Sequence, residues 1–321
     1  MVIVKWYIFR AHGKIDLQYQ FLDRYNQCHA CKFTLVLLHI SIISKLQKPL
    51  HENRCDMFLV VDIGNSHTVT GMYENNELVG HWRIKSDTKT TADELAVCYH
   101  ALFAMAGIKI DNIEGIVIAS VVPNLQTAWI AYCEKHFSAH LQNKTIVVTV
   151  DKIKKLIDVQ LDNPEEVGAD RLVNGVAAWK IQQCKQVVID FGTAITFDCI
   201  TEKCEYRGGV ILPGIAISLE ALANKTAKLP HVDVSDVPSH IIGKSTVQAM
   251  KSGVLYGYGA MIDGLIKGIR REMIHQEDEP FRVIATGGMA QLIAPFASSI
   301  DIVEPMLTLQ GLKIIYNELA E

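Results

Sequence analysis

Two aspartate–glycine turns carry the residues best suited to chemistry in this chain. Asp62 and Gly64 follow the apolar segment FLVV, and Asp190 and Gly192 follow the segment QVVI. Glycine permits a tight turn, and backbone N–H groups beside Asn, Ser or Thr can hold phosphate oxygens. An aspartate at a strand end can hold a cation or its water shell. One such turn is common in hairpins, but two related turns predict a site for the two ends of a triphosphate.

The surroundings of the two turns also repeat, with the separation of 128 residues that lies between Asp62 and Asp190. Further identical pairs at this separation are Gly64 and Gly192, Thr68 and Thr196, Glu74 and Glu202, Glu77 and Glu205, and Gly80 and Gly208. An internal repeat dictates the architecture of a chain. We therefore predict two related halves that face each other across a central cleft.

Two further motifs could complete such a site. Asp170 and Arg171 begin a predicted helix; a first-turn aspartate often only complements the helix dipole, and an arginine is often only solvated. Alternatively, Asp170 could accept a proton from an attacking hydroxyl while Arg171 holds an acidic group. The motif ATGG (285–288) allows close approach of a flat ligand such as adenosine, or is a plain turn between strand and helix. Spacing alone leaves these alternatives open.

The elements that must position these residues alternate between strand and helix. Thr91 and Glu94 form a capping-box pattern before a helical repeat of apolar residues, and Gly107 ends it. The first half reads β-β-β-α-β-α-β. The predicted order in the second half is three strands, a helix, a long helix from about residue 247 to 275, a strand and two closing helices. This alternation predicts a layered α/β fold.

Composition and charge narrow the class of protein. The 321 residues suffice for two domains. A net charge of −4 without a basic stripe argues against a nucleic-acid partner. The apolar run FTLVLLHISIISKL is shorter than the roughly 20 residues of a membrane span, which argues against a membrane partner. Eight cysteines at irregular spacings indicate reduced thiols, and we expect a cytoplasmic protein.

The domain organisation follows from where these patterns begin. Residues 1–56 lack clean start and stop signals, and Met57 stands directly before the apolar segment FLVV that leads into the first phosphate-type turn. We expect residues 1–56 to be a leader or an upstream-assigned start outside the fold. Residues 57–173 should form the N-terminal half and residues 174–321 the C-terminal half.

Taken together, the motifs resemble those of a known enzyme family. The ordered set DIGNSHTVTG, NPEEVGADRLVN, VVIDFGTAITFD, GGVILPGIAISLEAL, IGKSTVQAMKSGVLYGYGAMIDG and IATGGMA resembles type III pantothenate kinase across residues 57–321. The resemblance implies a duplicated actin-like ATPase (ASKHA) fold. It implies phosphorylation of pantothenate by ATP in a cytoplasmic homodimer, with pantothenate bound near the dimer interface. It also implies a need for Mg²⁺ and a monovalent cation, K⁺ or NH₄⁺.

The resemblance also implies roles for individual residues. Asp170 would be the proton acceptor, and Asp190 would bind the monovalent cation. The residues implied for ATP are Asp62, Ile63, Gly64, Asn65, Ser66, His67, Thr68, Val69 and Thr193. Those implied for pantothenate are Leu161, Gly168, Ala169, Asp170, Arg171 and Thr246.

One position departs from the family pattern, and two alternative functions remain. Many family members carry a tyrosine where this chain has Leu161, which removes a hydroxyl and an aromatic face from the pantothenate pocket. One alternative is a non-catalytic regulator of the Bvg accessory factor type on the same fold. The other is a kinase for a different small hydroxy acid. The presence of Asp62, Asp170 and Asp190 favours an enzyme.

Overall fold

The computed structural model describes two separate parts of the chain. It describes residues 57–137, 145–234, 236–276 and 278–320, and the backbone of one N-terminal hairpin. In that hairpin, β1 (Val4–Ala11) pairs antiparallel with β2 (Lys14–Phe21). Contacts divide the chain into units 1–54 and 55–321. The leader expected at residues 1–56 falls largely outside the described residues. No helix within the described part is long and apolar enough to cross a membrane.

The first sheet has five strands in the order β5-β4-β3-β6-β7. Its strands are β3 (Met57–Ile63), β4 (His67–Glu74), β5 (Glu77–Lys85), β6 (Ile113–Ser120) and β7 (Ile146–Val147). The central strand β3 pairs antiparallel with β4 and parallel with β6. It is almost wholly buried because both faces of the sheet are covered, which explains its continuous apolar sequence.

Helices α1 (Ala92–Met105) and α2 (Pro123–Phe137) cover one face of this sheet. The predicted capping box of α1 is confirmed. The Thr91 hydroxyl accepts the Glu94 N–H, and the Glu94 carboxylate accepts the Thr91 N–H at 2.8 Å. This reciprocal pair satisfies two backbone donors that the first turn of a helix leaves free. A short helix α3 (Val150–Ile153) follows β7.

The second sheet has six strands in the order β13-β12-β9-β10-β11-β8. Its central strand β9 pairs antiparallel with β10 and parallel with β12, as β3 does with β4 and β6. The strands are β8 (Asp158–Val159), β9 (Lys185–Phe191), β10 (Ala194–Ile200), β11 (Glu205–Pro213), β12 (Phe281–Thr286) and β13 (Ile302–Val303).

The predicted repeat is visible in the strand boundaries. The first residues of β3 and β9 are 128 residues apart, and so are their last residues. The same holds for β5 and β11. Leaving out β8, the two sheets have the same strand order, with the first strand of each half at the centre. Because the aspartates end β3 and β9, equivalent topology places Asp62 and Asp190 at equivalent points of the two halves. This doubled topology is that of the actin-like fold.

Two helices, α4 (Ala169–Ile181) and α8 (Leu307–Ala320), pack against each other in a core shared by both sheets. A methyl group built on Gly311 of α8 would lie 2.3 Å from the Val173 carbonyl oxygen, so the close approach of the two helices requires glycine there. The half boundary proposed between residues 173 and 174 falls inside α4. The halves are thus joined by shared helices.

The remaining helices pack against the second sheet. They are α5 (Ile215–Lys225), α6 (Thr246–Met273) and the short α7 (Ala290–Ile293). The predicted long helix is therefore confirmed to within two residues at its ends. Single 3₁₀ turns lie at Ile110–Asn112, Pro164–Glu166 and Ala294–Phe296.

A chain that begins at Met57 should fold as well as the full chain. The five- and six-stranded sheets are built from strands of the unit 55–321, starting with β3. We expect the same thermal unfolding midpoint, within about 2 °C, for both chains; a loss of 1 kcal/mol would move a domain of this size by roughly 2–4 °C. Differential scanning calorimetry of both chains makes the comparison. Insolubility of the shorter chain would give residues 1–56 a structural role.

Candidate active site

The two aspartate–glycine turns meet in space. Ser66, in the turn between β3 and β4, and Thr193, in the turn between β9 and β10, share a hydrogen bond of 2.7 Å between their hydroxyl oxygens. Both residues are exposed, so their hydroxyls face an open cleft. The prediction that the turns approach each other across a cleft agrees with this contact.

The first turn is held by backbone and hydroxyl contacts. The Gly64 N–H donates to the His67 carbonyl at 3.1 Å, which closes the turn. The Ser86 hydroxyl donates to the Gly64 carbonyl at 2.7 Å and also contacts the Thr68 hydroxyl at 3.0 Å. Asn65, Ser66 and His67 are left exposed. Ser86 was not predicted, because its supporting contacts form only when β5 pairs with β4.

The motif ATGG forms a third turn beside the second one. Gly287 has φ of 90°, a left-handed conformation that favours glycine. A methyl group built on it would lie 2.3 Å from Oδ1 of Asp190 and 2.7 Å from the Phe191 nitrogen. Gly287 therefore lets the backbone of this turn pass directly over Asp190.

Three carboxyl groups lie close enough to influence one another. Burial raises the pKa of Asp62 well above its ordinary value, and the negative charges of Asp170 and Asp190 raise it further. Burial, then the charges of Asp170 and Asp198, raise the pKa of Asp190 to about 7. Burial also raises the pKa of Asp170, against the lowering effect of Arg171. Such a group of mutually repelling carboxylates is typical of functional sites.

Asp190 is held in place from the interface helices. The buried Asn174 donates from Nδ2 to Oδ2 of Asp190 at 3.3 Å, and the Thr308 hydroxyl donates to Oδ1 of Asn174 at 2.8 Å. These contacts fix the orientation of the amide. They link α8 through α4 to the end of β9. Neither Asn174 nor Thr308 was predicted, because their partners are distant in sequence.

Asp170 lies in the first turn of α4. Its Oδ1 accepts the backbone N–H of Arg171 at 2.8 Å, and Gly168 precedes the helix. A methyl group on Gly168 would lie 2.4 Å from that Oδ1. Asp170 therefore satisfies a helix N–H, as the simpler alternative predicted, and also lies among the three carboxyl groups, as the catalytic alternative requires.

Arg171 makes a buried ion pair that the sequence did not reveal. Its Nε donates to Oδ1 of Asp198 at 2.7 Å, and the Arg171 side chain is only 17% exposed. Tyr206 donates its hydroxyl to the same Oδ1 at 2.7 Å, and Thr196 donates to Oδ2 at 3.1 Å. The guanidinium also lies over the Tyr206 ring. Within the described residues, Nη1 of Arg171 makes no hydrogen bond and is free for a ligand.

The other predicted residues divide into groups. The Ile63 side chain is fully buried, Thr68 is 4% exposed and Val69 packs against the core, so their side chains support the turn. Leu161 lies near Gly208, and Arg171 near the adjacent Gly209, which places both beside β11. Ala169 packs against the core beside Asp170. Thr246 begins α6 and lines a separate cavity of about 420 Å³ between α5 and α6.

A second cavity of about 480 Å³ lies beside the third turn. It is lined by the first residues of α5, by residues 231–234 and by Met289. It is open to solvent, and its volume falls within the range of small-molecule sites. Glu220 and His231 provide polar groups in it. The cavity adjoins the motif for which an adenosine contact was one of the two alternatives.

The donor groups of the site fit a hard cation. Carboxylate oxygens are ligands that Mg²⁺ prefers, and a bound cation would offset the repulsion among the three aspartates. The described residues hold no closed cluster of three or more metal-ligating side chains. Mg²⁺ is usually held by one or two carboxylates together with substrate phosphates, and Asp62 and Asp190 could supply such carboxylates.

The doubled topology and the meeting of the two turns define the class of this protein. It is a kinase-type enzyme of the duplicated actin-like ATPase fold. Among solved structures, it is similar to a conserved putative Baf family transcriptional activator from Campylobacter jejuni, with TM-score 0.46 and 20% identity over 81% of this chain and 98% of that chain. It is also similar to a putative 2-dehydro-3-deoxygalactonokinase from Sinorhizobium meliloti, with TM-score 0.49 and 12% identity over 82% and 99%.

Sequence comparison identifies the family. The family model described as type III pantothenate kinase matches residues 58–268. The protein of that name from Desulfotalea psychrophila is 57% identical over 263 residues, which are 82% of this chain and 98% of the relative. The one from Halalkalibacterium halodurans is 42% identical over 262 residues, 82% of this chain and 99% of the relative. The chain belongs to the type III pantothenate kinase family.

Proposed function

We propose that this protein transfers the γ-phosphoryl group of ATP to the hydroxyl group of pantothenate. The products are ADP and 4′-phosphopantothenate, and the reaction is the first step towards coenzyme A. One observation carries the proposal: the two phosphate-type turns meet through the hydrogen bond of 2.7 Å between Ser66 and Thr193, and the charge of Asp170 acts on the aspartates of both turns, Asp62 and Asp190. A potential base thus stands where the two turns would present a phosphoryl group.

The nucleotide would lie along the cleft between the halves. The backbone of the first turn, with Asn65, Ser66 and His67, and the exposed Thr193 of the second turn would hold phosphate oxygens. The cavity beside Met289 has room for the adenosine, at the third turn. In this position the phosphates would lie near Asp62 and Asp190. Bound Mg²⁺ would neutralise charge on the phosphate oxygens.

Asp170 would accept the proton of the attacking hydroxyl. Its raised pKa makes it a stronger base than an exposed aspartate. Arg171, held by Asp198, would present its free Nη1 to the carboxylate of pantothenate. Gly168, Ala169 and Leu161 would line the same pocket. The resemblance assigns Thr246 to the pocket too, and it lies at the start of α6, beside a separate cavity.

The proposal includes an assembly and a compartment. A homodimer would cover the large apolar side chains exposed on the segment before α6, among them Val237, Ile241 and Ile242. Such exposed apolar surface is typical of protein interfaces. A cytoplasmic location is consistent with the free thiols of the cysteines in the described part of the chain.

Release of ADP in the presence of a panel of hydroxy acids tests the function. We expect release with ATP and Mg²⁺ that depends on pantothenate. Turnover with another acceptor only would identify a kinase for a different hydroxy acid. Absence of turnover with every acceptor would favour a regulator of the Bvg accessory factor type.

Replacing Asp190 with Asn should remove the response to a monovalent cation. The folded pKa of about 7 lies above the value of an unfolded aspartate, so the stability that protonated Asp190 contributes is present below about pH 4 and is lost as the pH rises to about 7. A bound cation would reverse that loss at neutral pH. At pH 8 we expect K⁺ to raise the unfolding midpoint of the original protein and to leave that of Asp190→Asn unchanged. Differential scanning fluorimetry over a K⁺ titration measures both.

Asp301→Asn is the matched control, because Asp301 pairs with Arg282 at the opposite end of β12 from the third turn. It should keep the full K⁺ response. A K⁺ titration that is the same for Asp190→Asn and the original protein would contradict the assignment of the cation to Asp190.

A further inference from the structure

Arg83 connects the first turn with the third turn across the cleft. It lies on β5, where it pairs with Val69 of β4. Its Nη2 donates to Nδ1 of His67 at 3.4 Å, in the first turn. A methyl group built on Gly288 would lie 3.4 Å from Nη1 and 3.5 Å from Nη2 of Arg83. The guanidinium of one half therefore reaches the ATGG turn of the other half.

The guanidinium is exposed and keeps its binding capacity. Among the described residues it makes no ion pair within 4 Å, and its one hydrogen bond is the long contact with His67. Arg83 carries five N–H donors in a fixed fork, which suits two oxygens of one phosphate. Arg171, by contrast, is committed to Asp198. Arg83 thus offers nearly all its donors to a ligand in the cleft.

The charge of Arg83 also acts on the site. Burial raises the pKa of Asp62 and of Asp190, and Arg83 opposes that rise at both. Its field therefore reaches both carboxylates although no ion pair forms. The same positive field would favour a polyphosphate lying between them.

We propose that Arg83 binds the phosphate chain of the nucleotide and bridges the first and third turns over it. The proposal rests on the function proposed above and adds a phosphate-binding residue to it. Arg83 comes to the site from β5, an edge strand of the first sheet. The guanidinium has few protein partners of its own, so it would be available to contact the phosphates when the nucleotide lies in the cleft.

Binding measurements on Arg83→Gln test the proposal. A hydrogen bond to a charged group contributes about 1.5–3 kcal/mol, so we expect Kd for ATP to rise by about 10- to 150-fold at 1.4 kcal/mol per tenfold change. Adenosine, which lacks phosphates, should bind equally to both proteins. Arg83→Lys should fall between them, because it keeps the charge and loses the fork. Isothermal titration calorimetry with ATP, ADP and adenosine gives all three comparisons.

Arg282→Gln is the matched control, because it removes one exposed arginine charge at the start of β12, away from the turn that follows that strand. It should leave ATP binding unchanged. ATP affinity of Arg83→Gln equal to that of the original protein, or an equal loss of adenosine affinity, would overturn the proposal. These binding results do not depend on the acceptor. If the original protein bound ATP but did not phosphorylate pantothenate, the proposed function would be refuted. The same titrations would still decide the role of Arg83.

Discussion

We expect Asp170→Asn to lower kcat by about 10²- to 10⁴-fold, the usual contribution of a positioned general base. That range corresponds to about 3–5 kcal/mol in the barrier. Phosphoryl transfer has a loose transition state, so positioning and charge stabilisation account for the rest of the rate enhancement. Asparagine keeps the shape of the side chain, and its Oδ1 can still accept the Arg171 N–H. Binding of ATP should therefore persist, and steady-state kinetics at saturating substrates measure the loss.

Asp93→Asn is the control for this substitution. Asp93 also lies in the first turn of a helix, α1, where its exposed side chain pairs with Lys135 of α2. It should leave kcat unchanged, which separates helix capping from catalysis. A fall of less than about threefold for Asp170→Asn, against the range for a general base, would show that Asp170 only caps α4. The base would then have to be another group.

We expect Arg171→Ala to destabilise the fold by about 3–5 kcal/mol, because it would leave the carboxylate of Asp198 buried without its partner. Asp198 is fully buried, and Tyr206 and Thr196 alone would remain to hydrogen-bond it. Urea unfolding followed by circular dichroism measures the loss. In the fraction that stays folded, KM for pantothenate should also rise. The reason is that Arg171 would pair with the substrate carboxylate in both the ground state and the transition state, and the substitution removes that pairing.

Removing both charges separates these effects. The double replacement Arg171→Met with Asp198→Leu should recover much of the lost stability, because apolar residues of similar volume often replace a buried ion pair without loss. It should not recover the KM for pantothenate. Arg282→Ala, which breaks a half-exposed pair with Asp301, should cost less than about 1 kcal/mol. A loss below about 1 kcal/mol for Arg171→Ala would mean that the pair with Asp198 contributes little.

Local signals in the sequence predicted a large part of the fold. The capping box at Thr91 and Glu94, the apolar strand before Asp62 and the long helix α6 depend on neighbouring residues and on periodicity. The repeat of 128 residues also predicted that the halves share a topology, because equal sequence patterns bury equal faces. The boundary between the two halves was harder to predict from the sequence, because α4 packs in a core that both sheets share.

The site was predicted in part, for a similar reason. The residues proposed to hold phosphate in the tight turns, such as Gly64, Ser66 and Thr193, carry a recognisable local pattern. Side chains that act through distant partners carry none. Arg83 faces Gly288, Asn174 lies between Asp190 and Thr308, and Arg171 reaches Asp198. These pairs are separated by many residues and meet only when the sheets are formed.

The sequence by itself therefore determined the two turns, their aspartates and the duplicated α/β order, because backbone geometry and apolar periodicity are local properties. The tertiary structure alone decided which charges meet. It joined Ser66 to Thr193, gathered Asp62, Asp170 and Asp190, and committed most of Arg171 to Asp198. The physical reason is that electrostatic and hydrogen-bond partners are set by distance in space. Separation along the chain does not give that distance, which is fixed only when the two halves pack on their shared helices.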